Sequence, residues 1–171
     1  MLELDAWLEI AKSAALKGGK YLLENQSQEL KILLNEGRDI KLQLDTDTEK
    51  LIKDSLGSQS EFSILGEETG LSNDLGEFYW VVDPLDGTSN FLRDIPISCV
   101  SIALMQNLTP ILGVIYDFNH DDLYFGHLES KAFLNQIEIA VSNYSEKSQS
   151  TLVTGIPAKT HYSDNEFQNM I

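Results

Sequence analysis

The run Trp80-Val81-Val82-Asp83-Pro84-Leu85-Asp86-Gly87-Thr88-Ser89-Asn90-Phe91 constrains this chain more than any other stretch. Apolar residues lead into two carboxylates three apart, then a glycine, two hydroxyls and an asparagine. A buried strand that ends in acids and turns into a helix start sets cation and anion ligands side by side. Gly87 lets backbone approach a ligand closely. A helix beginning near Thr88 or Ser89 would offer free N–H groups and a positive dipole end to a phosphate. Taken alone, Asp-x-x-Asp is a weak signal, Asp-Gly is a common turn, and Thr88 or Ser89 also reads as an N-cap.

A second acid pair, Glu67-Glu68, follows the short apolar strand Phe62-Ser63-Ile64-Leu65 and Gly66. By itself it reads as a solvated loop. If the two strands are sheet neighbours, Glu67, Glu68, Asp83 and Asp86 converge at one edge. Crowded carboxylates raise one another's pKa. A hard divalent cation with oxygen ligands, Mg²⁺ above all, relieves that conflict. Two ions bridged by a shared carboxylate would position both the nucleophilic water and the leaving group. Thr88 can hydrogen-bond that water while Glu67 accepts its proton. Asp45 is either an acid behind these four or an ordinary helix-start residue.

The remaining pattern is helices first, then consecutive strands. Leu4, Trp7, Leu8, Ala11, Ala14, Ala15, Gly18 and Leu22 recur at helical spacing over residues 2–25. Gly18-Gly19 in mid-helix marks a close approach or a bend. Asn35-Glu36-Gly37-Arg38 reads as a turn, and alternation at Ile40, Leu42 and Leu44 as a short half-exposed strand. Thr46-Asp47-Thr48-Glu49 fits a capping box opening a helix that ends near Gly57. An EF-hand reading of 45–49 fails, because Lys50 stands where the loop needs glycine. Residues 71–77 read as a surface loop, 78–82 as a strand ending at Asp83, and Asp94-Ile95-Pro96 as a turn. Apolar runs at 97–105, 110–117 and 122–128, with a hairpin turn at 119–122, extend the strand series. Short strands are also expected at 132–135, 137–141 and 151–154. The expected class is α+β, an antiparallel sheet with its helices on one face, in one domain over 1–171.

Composition removes several functions. The chain has 27 acids against 12 bases, a net charge of −15, which argues against nucleic acid and anionic membranes as partners. Phosphate binding would then run through a cation or backbone N–H groups. The single Cys99 permits no internal disulfide and reads as a small buried hydrophobe. His120, His127 and His161 match no zinc spacing and read as surface residues. The acidic start is no signal peptide, and no apolar run spans a bilayer, so the expected compartment is the cytoplasm.

Gly66-Glu67-Glu68-Thr69 and Asp83-Pro84-Leu85-Asp86-Gly87-Thr88 together resemble the motifs of the inositol monophosphatase family, Mg²⁺-dependent and Li⁺-sensitive phosphatases. Gly113-Val114-Ile115-Tyr116 and Thr154-Gly155-Ile156-Pro157 resemble later elements of the same family. The resemblance implies the first half of a layered α/β/α/β/α fold shared with fructose-1,6-bisphosphatases. It implies a first Mg²⁺ on Glu67, Asp83 and the Leu85 carbonyl, and a second on Asp83 and Asp86, with two or three ions in all. Asp86, Gly87 and Thr88 would meet the substrate phosphate. Glu67 and Thr88 would orient and activate the attacking water, with Asp45 behind them.

Two local departures stand out. The family's usual Asp-Leu-Val-Thr reads Asp39-Ile40-Lys41-Leu42, so a threonine hydroxyl is lost at Leu42. Its Gly-x-Gly-Ala reads Glu129-Ser130-Lys131-Ala132. The family's Trp-Asp-x-Ala-Ala-Gly motif has no match, so the resemblance covers the N-terminal half and the C-terminal α/β half is absent. The implied activity is hydrolysis of a small phosphate ester, inositol 1-phosphate foremost. Alternatives are a bisphosphate nucleotidase, histidinol-phosphatase or fructose-1,6-bisphosphatase, or a non-catalytic metal- or phosphate-binding remnant. Homodimerisation or self-association through an uncovered surface is the expected assembly.

Overall fold

A computed structural model describes residues 3–27, 30–36, 39–72, 74–143, 146, 148 and 151. The expectations for Gly37-Arg38, Thr154-Gly155-Ile156-Pro157, His161 and most of 151–154 lie outside the described residues.

Helix α1 (Leu4–Asn25) buries the stripe Leu4, Leu8, Ala11, Ala14, Ala15, Gly18, Gly19 and Leu22. Its small residues let other elements lie close. A Cβ on Gly18 would strike Ile52 of the second helix, and one on Gly19 would strike Tyr116 in the sheet. The glycine pair therefore marks two close approaches on adjoining faces of one unbroken helix. Strands β1 (Ile32–Glu36) and β2 (Asp39–Leu42) form a separate antiparallel ribbon, so Asn35 and Glu36 belong to a strand rather than to the expected turn. Helix α2 (Gln43–Gly57) begins directly after β2 and takes in Leu44, which alternation had placed in the strand.

Strands β3 (Ser63–Gly66), β4 (Gly70–Leu71), β5 (Phe78–Asp86), β6 (Cys99–Gln106), β7 (Thr109–Asp117), β8 (Asp122–His127), β9 (Ala132–Leu134) and β10 (Ile137–Ile139) follow. A single-turn helix α3 (Thr88–Phe91) sits between β5 and β6. These eight strands make one sheet in the order β10-β9-β8-β7-β6-β5-β3-β4. Every pairing is antiparallel except β3 with β5, which is parallel.

Alternation sorts the sheet's two faces. Trp80, Val82, Val100, Ile102, Leu104, Val114 and Leu123 are buried and join the helices' apolar stripes in one core. Ile115 and Tyr124 on the other face remain exposed. Helix α1 covers β6 to β8, and α2 covers β5. This is the α+β layering expected from the order of the elements, and it leaves the ends of β3 and β5 at one edge.

Candidate active site

The parallel pairing brings the acids together. Register places Gly66 opposite Val82, so Glu67 emerges beside Asp83. The Glu67 N–H donates to the Val82 carbonyl at 3.0 Å, which holds the two chain ends side by side. An antiparallel pair would have sent them to opposite edges of the sheet.

Strand β5 does not end at Asp83, as its apolar run suggested; it continues to Asp86. Asp83 pairs with Ser101 and Asp86 with Cys99, so β5 carries one residue more than β6 across this step. That bulge houses Pro84, which has no N–H for a ladder bond and suits a bulge in an otherwise central strand. Residues three apart on a regular strand point to opposite faces. The extra residue breaks that alternation, and Asp83 and Asp86 come close enough to repel. The Asp83 carboxyl is pushed up to about 8, by burial first, then by the Glu67 charge, with Asp86 adding to it. One Asp83 oxygen, Oδ1, also accepts the Leu85 N–H at 3.1 Å.

Gly87 turns the chain out of the strand. Its φ of +91° suits glycine, and an added Cβ would stand 2.7 Å from the Ile97 carbonyl oxygen. Gly87 is the N-cap of α3, and its carbonyl accepts the Asn90 and Phe91 N–H groups at 2.8 and 2.9 Å. Thr88 Oγ1 donates to the Leu85 carbonyl at 3.1 Å, so neither Thr88 nor Ser89 caps the helix. Asn90 Nδ2 donates to the Ile97 carbonyl at 2.8 Å, and Arg93 Nη1 to Ser89 Oγ at 2.6 Å, which brace the turn from outside. Asp86 and Gly87 also border a concavity of about 270 Å³ with Ser98, Cys99 and Asp117. A larger one, about 380 Å³, is lined by Pro110, Leu112, Leu128 and neighbours and by none of the acids.

Helix α2 supplies two buried acids from behind, and here the expected capping box is wrong. The helix opens with Leu42 as N-cap, and the Asp45 Oδ2 accepts the Leu42 N–H at 2.8 Å. Asp45 is thus a helix-start residue and a neighbour of the acids at once. Its carboxyl is raised to about 7, chiefly by burial, with Glu68 and Glu67 contributing. Among the described residues, Asp45 Oδ1 is the one buried side-chain N or O atom without a hydrogen-bond partner.

Glu49, expected to cap its own helix, is fully buried and reaches away to the β3–β4 turn. Its Oε2 accepts the Glu68 N–H at 2.7 Å; its Oε1 accepts the Thr69 N–H at 3.1 Å and the Thr69 hydroxyl. Lys53 Nζ lies 3.1 Å from Glu49 Oε1 and donates to Thr69 Oγ1 at 2.6 Å. Lys41, the departure from the family pattern, pairs with Glu68 at 3.2 Å, so Glu68 faces a lysine. Leu42, where the threonine is lost, is fully buried in the core.

The structure thus gathers Glu67, Asp83 and Asp86 with Asp45 and Glu68 near them, and Leu85, Gly87 and Thr88 on the adjoining turn. As placed, no three acid, histidine or cysteine side chains among the described residues are grouped closely enough to hold one ion. The donor set nonetheless fits a hard divalent cation on two counts. Asp45 Oδ1 is buried and unpartnered, and the crowding that lifts Asp83 is what an oxygen-liganded cation relieves. Cys99 is half-buried rather than buried, with Sγ 4.0 Å from Asp86 Oδ2. Burial and the Asp86 and Asp83 charges push its thiol up to about 12, away from nucleophile chemistry. His120 lies at the surface as expected, whereas the His127 side chain is only 5% exposed and meets Asp5 Oδ1 at 3.0 Å.

Comparison with known proteins bears on this arrangement. The model of the inositol monophosphatase family matches residues 3–170. The chain belongs to the inositol monophosphatase family. A fructose-1,6-bisphosphatase/inositol-1-monophosphatase of Aquifex aeolicus is 34% identical over 163 residues, 94% of this chain and 62% of the relative. The inositol monophosphatase of Anabaena (Nostoc) sp. PCC 7120 superposes with a TM-score of 0.73 at 35% identity, covering 85% of this chain and 53% of that one. An IMPase/NADP phosphatase complexed with Mg²⁺ and phosphate matches at a TM-score of 0.62 and 25% identity, over 72% of this chain and 48% of that one. The family member described here therefore spans about half to three-fifths of the length of these relatives. No helix among its described residues is long and apolar enough to cross a membrane.

Proposed function

We propose that this chain forms the N-terminal α+β part of a Mg²⁺-dependent phosphomonoesterase acting on inositol 1-phosphate or a related polyol phosphate. One observation carries the reading: parallel β3 and β5 deliver Glu67 beside Asp83, in a crowd of carboxylates with the Gly87–Thr88 turn adjoining. A relative bound to Mg²⁺ and phosphate supports it. In this reading Glu67, Asp83 and the Leu85 carbonyl hold one ion, and Asp83 and Asp86 a second. When bound, they would supply positive charge for the phosphate and a water of lowered pKa.

The chain's own residues do the rest. Thr88 and Glu67 hold the attacking water between them, and Glu67 accepts its proton. Asp45 stands buried behind them, with its Oδ1 free of any hydrogen-bond partner. Gly87 and Thr88 present backbone N–H groups to the phosphate, with Asp86 beside them. We also propose two or three ions, Li⁺ sensitivity and a homodimer, as the family resemblance implies, and a cytoplasmic location, in keeping with the single cysteine.

The test is phosphate release from inositol 1-phosphate, a nucleoside 3′,5′-bisphosphate, histidinol phosphate and fructose 1,6-bisphosphate, each with Mg²⁺. Hydrolysis is expected to require Mg²⁺, to stop with a chelator and to vanish in Asp83→Asn. In the full-length protein that carries this part, Mn²⁺ binding without turnover of any ester would leave a metal-binding remnant and defeat the enzymatic reading of these residues.

A further inference from the structure

We propose that Glu49, backed by Lys53, is a positioning residue that sets the direction of Glu67 and thereby the divalent-cation affinity of the acid cluster. This rests on the metal reading of that cluster. No motif of the family resemblance includes Glu49, and local sequence pattern assigned it to the wrong partner.

The argument is one of backbone constraint. Glu67 lies in a three-residue turn between β3 and β4. Its own N–H is tied to the Val82 carbonyl, next to Asp83. The two following N–H groups, of Glu68 and Thr69, are both tied to the Glu49 carboxylate. The residue before it, Gly66, lies against the same carboxylate so closely that any Cβ would overlap its three terminal atoms. Peptides on both sides of Glu67 are therefore referenced to one buried side chain. Lys53 closes the clamp by donating to Thr69 Oγ1 and to the Gly70 carbonyl at 3.1 Å. Four donors, two backbone N–H groups, a hydroxyl and an ammonium, converge on two oxygens, a load for which a carboxylate is suited and an amide is not.

Partners behind a metal ligand commonly govern affinity by about 10–100-fold. Glu49→Gln turns one acceptor into a donor facing donors, and Lys53→Met removes the ammonium while keeping most of its stem. Mn²⁺ binding to the whole chain, by calorimetry and electron paramagnetic resonance, would be compared across wild type, Glu49→Gln, Lys53→Met and Asp83→Asn. Glu49→Gln is expected to bind about 10–100-fold more weakly, Lys53→Met to fall between it and wild type, and Asp83→Asn to lose binding. Amide exchange supplies a readout free of metal. Glu68 and Thr69 should exchange faster in both clamp variants while Ile102 and Val114 keep wild-type protection; loss of protection at all four sites in Lys53→Met would mark a merely structural role and overturn the proposal. Wild-type affinity in Glu49→Gln sinks the positioning role alone, whereas a wild-type chain that binds no Mn²⁺ sinks the metal reading and this inference with it. Should Glu49→Gln fail to fold, unchanged Mn²⁺ affinity in Lys53→Met overturns the proposal.

Discussion

The ends of β3 and β5 deliver acids to the same place by different physical means. At the end of β5 the conformation is set locally: Pro84 sits in the bulge, Gly87 takes a positive φ, and Thr88 bonds back to Leu85. At the end of β3 the conformation is set from a distance. The turn bearing Glu67 is clamped by Glu49 and Lys53 of α2 and by Lys41 of β2. One wall is a self-contained piece of chain, and the other exists only because a helix packs beneath it. Damage to α2 should therefore loosen Glu67 and leave Asp83 and Asp86 in place, whereas damage to the Gly87 turn should do the reverse.

The largest effect is expected where the clamp has no slack. Gly66→Ala would drive a methyl group into the buried Glu49 carboxylate and strip it of its donors. Breaking a buried charge pair of this kind costs about 3–5 kcal/mol. A fall in unfolding free energy of that size in urea titration is the expected result; a loss near zero would show that the turn is not held from below.

Next in size is the equivalent injury to the other wall. Gly87→Ala must hold a positive φ, which costs about 1–3 kcal/mol, and must displace the Ile97 carbonyl. The same titration should show the smaller loss. Nuclear magnetic resonance should place the shift changes at Asp86, Thr88 and Ile97, with the Glu68 and Thr69 amides unmoved. Shifts spreading to those amides would break the division between the walls.

The difference in means also explains what the sequence made legible. Asp83 to Thr88 could be read as a site because its special residues are contiguous and each dictates its own backbone. Glu49 could not, because its partners lie in a turn 19 and 20 residues further on. Worse, Thr46 and Glu49 stand at the spacing of a capping box. The helix uses the same spacing one register earlier, with Leu42 as N-cap and Asp45 as the acid. The β5 bulge is invisible for a related reason, since an extra residue shows only when a partner strand is counted beside it. A lone histidine carries no pattern, and the His127 side chain, only 5% exposed, meets the exposed Asp5 122 residues away. The α+β layering and the succession of helices before strands were legible because they depend on periodicity, and the parallel β3–β5 pair gave the acid pairs the shared edge on which their convergence was conditional.

Acid should open one wall before the other. Burial lifts the Glu49 carboxyl, but the Thr69 hydroxyl, the Glu68 N–H and Lys53 together hold it below its ordinary 4.5. A depressed folded pKa gives stability that is complete above the unfolded value and is lost as pH falls through the folded one. Between pH 6 and about 4.5 this contribution is constant, and it drains away below. Glu49→Gln removes the titrating group, so its stability should fall less steeply than wild type below about pH 4.5. Parallel curves for the two proteins would show that the carboxylate is not the charged anchor of the turn.

The smallest effect tests the outermost member of the clamp. Lys41 pairs with Glu68, but its own side chain is 35% exposed, so solvent screens the pair. Partly exposed ion pairs contribute about 0–1 kcal/mol. Lys41→Val, which restores the residue usual in the family at this position, should change stability by no more than that. It should, however, leave Glu68 without its cation beside Asp45 and Glu67, and so raise the negative potential at the cluster. The expected signature is a nearly unchanged unfolding curve with slightly tighter Mn²⁺ binding at low salt, fading as ionic strength rises. Weaker Mn²⁺ binding in Lys41→Val would instead place Lys41 with Lys53 among the residues that hold the turn in shape, and would move the boundary of the α2-dependent wall out to β2.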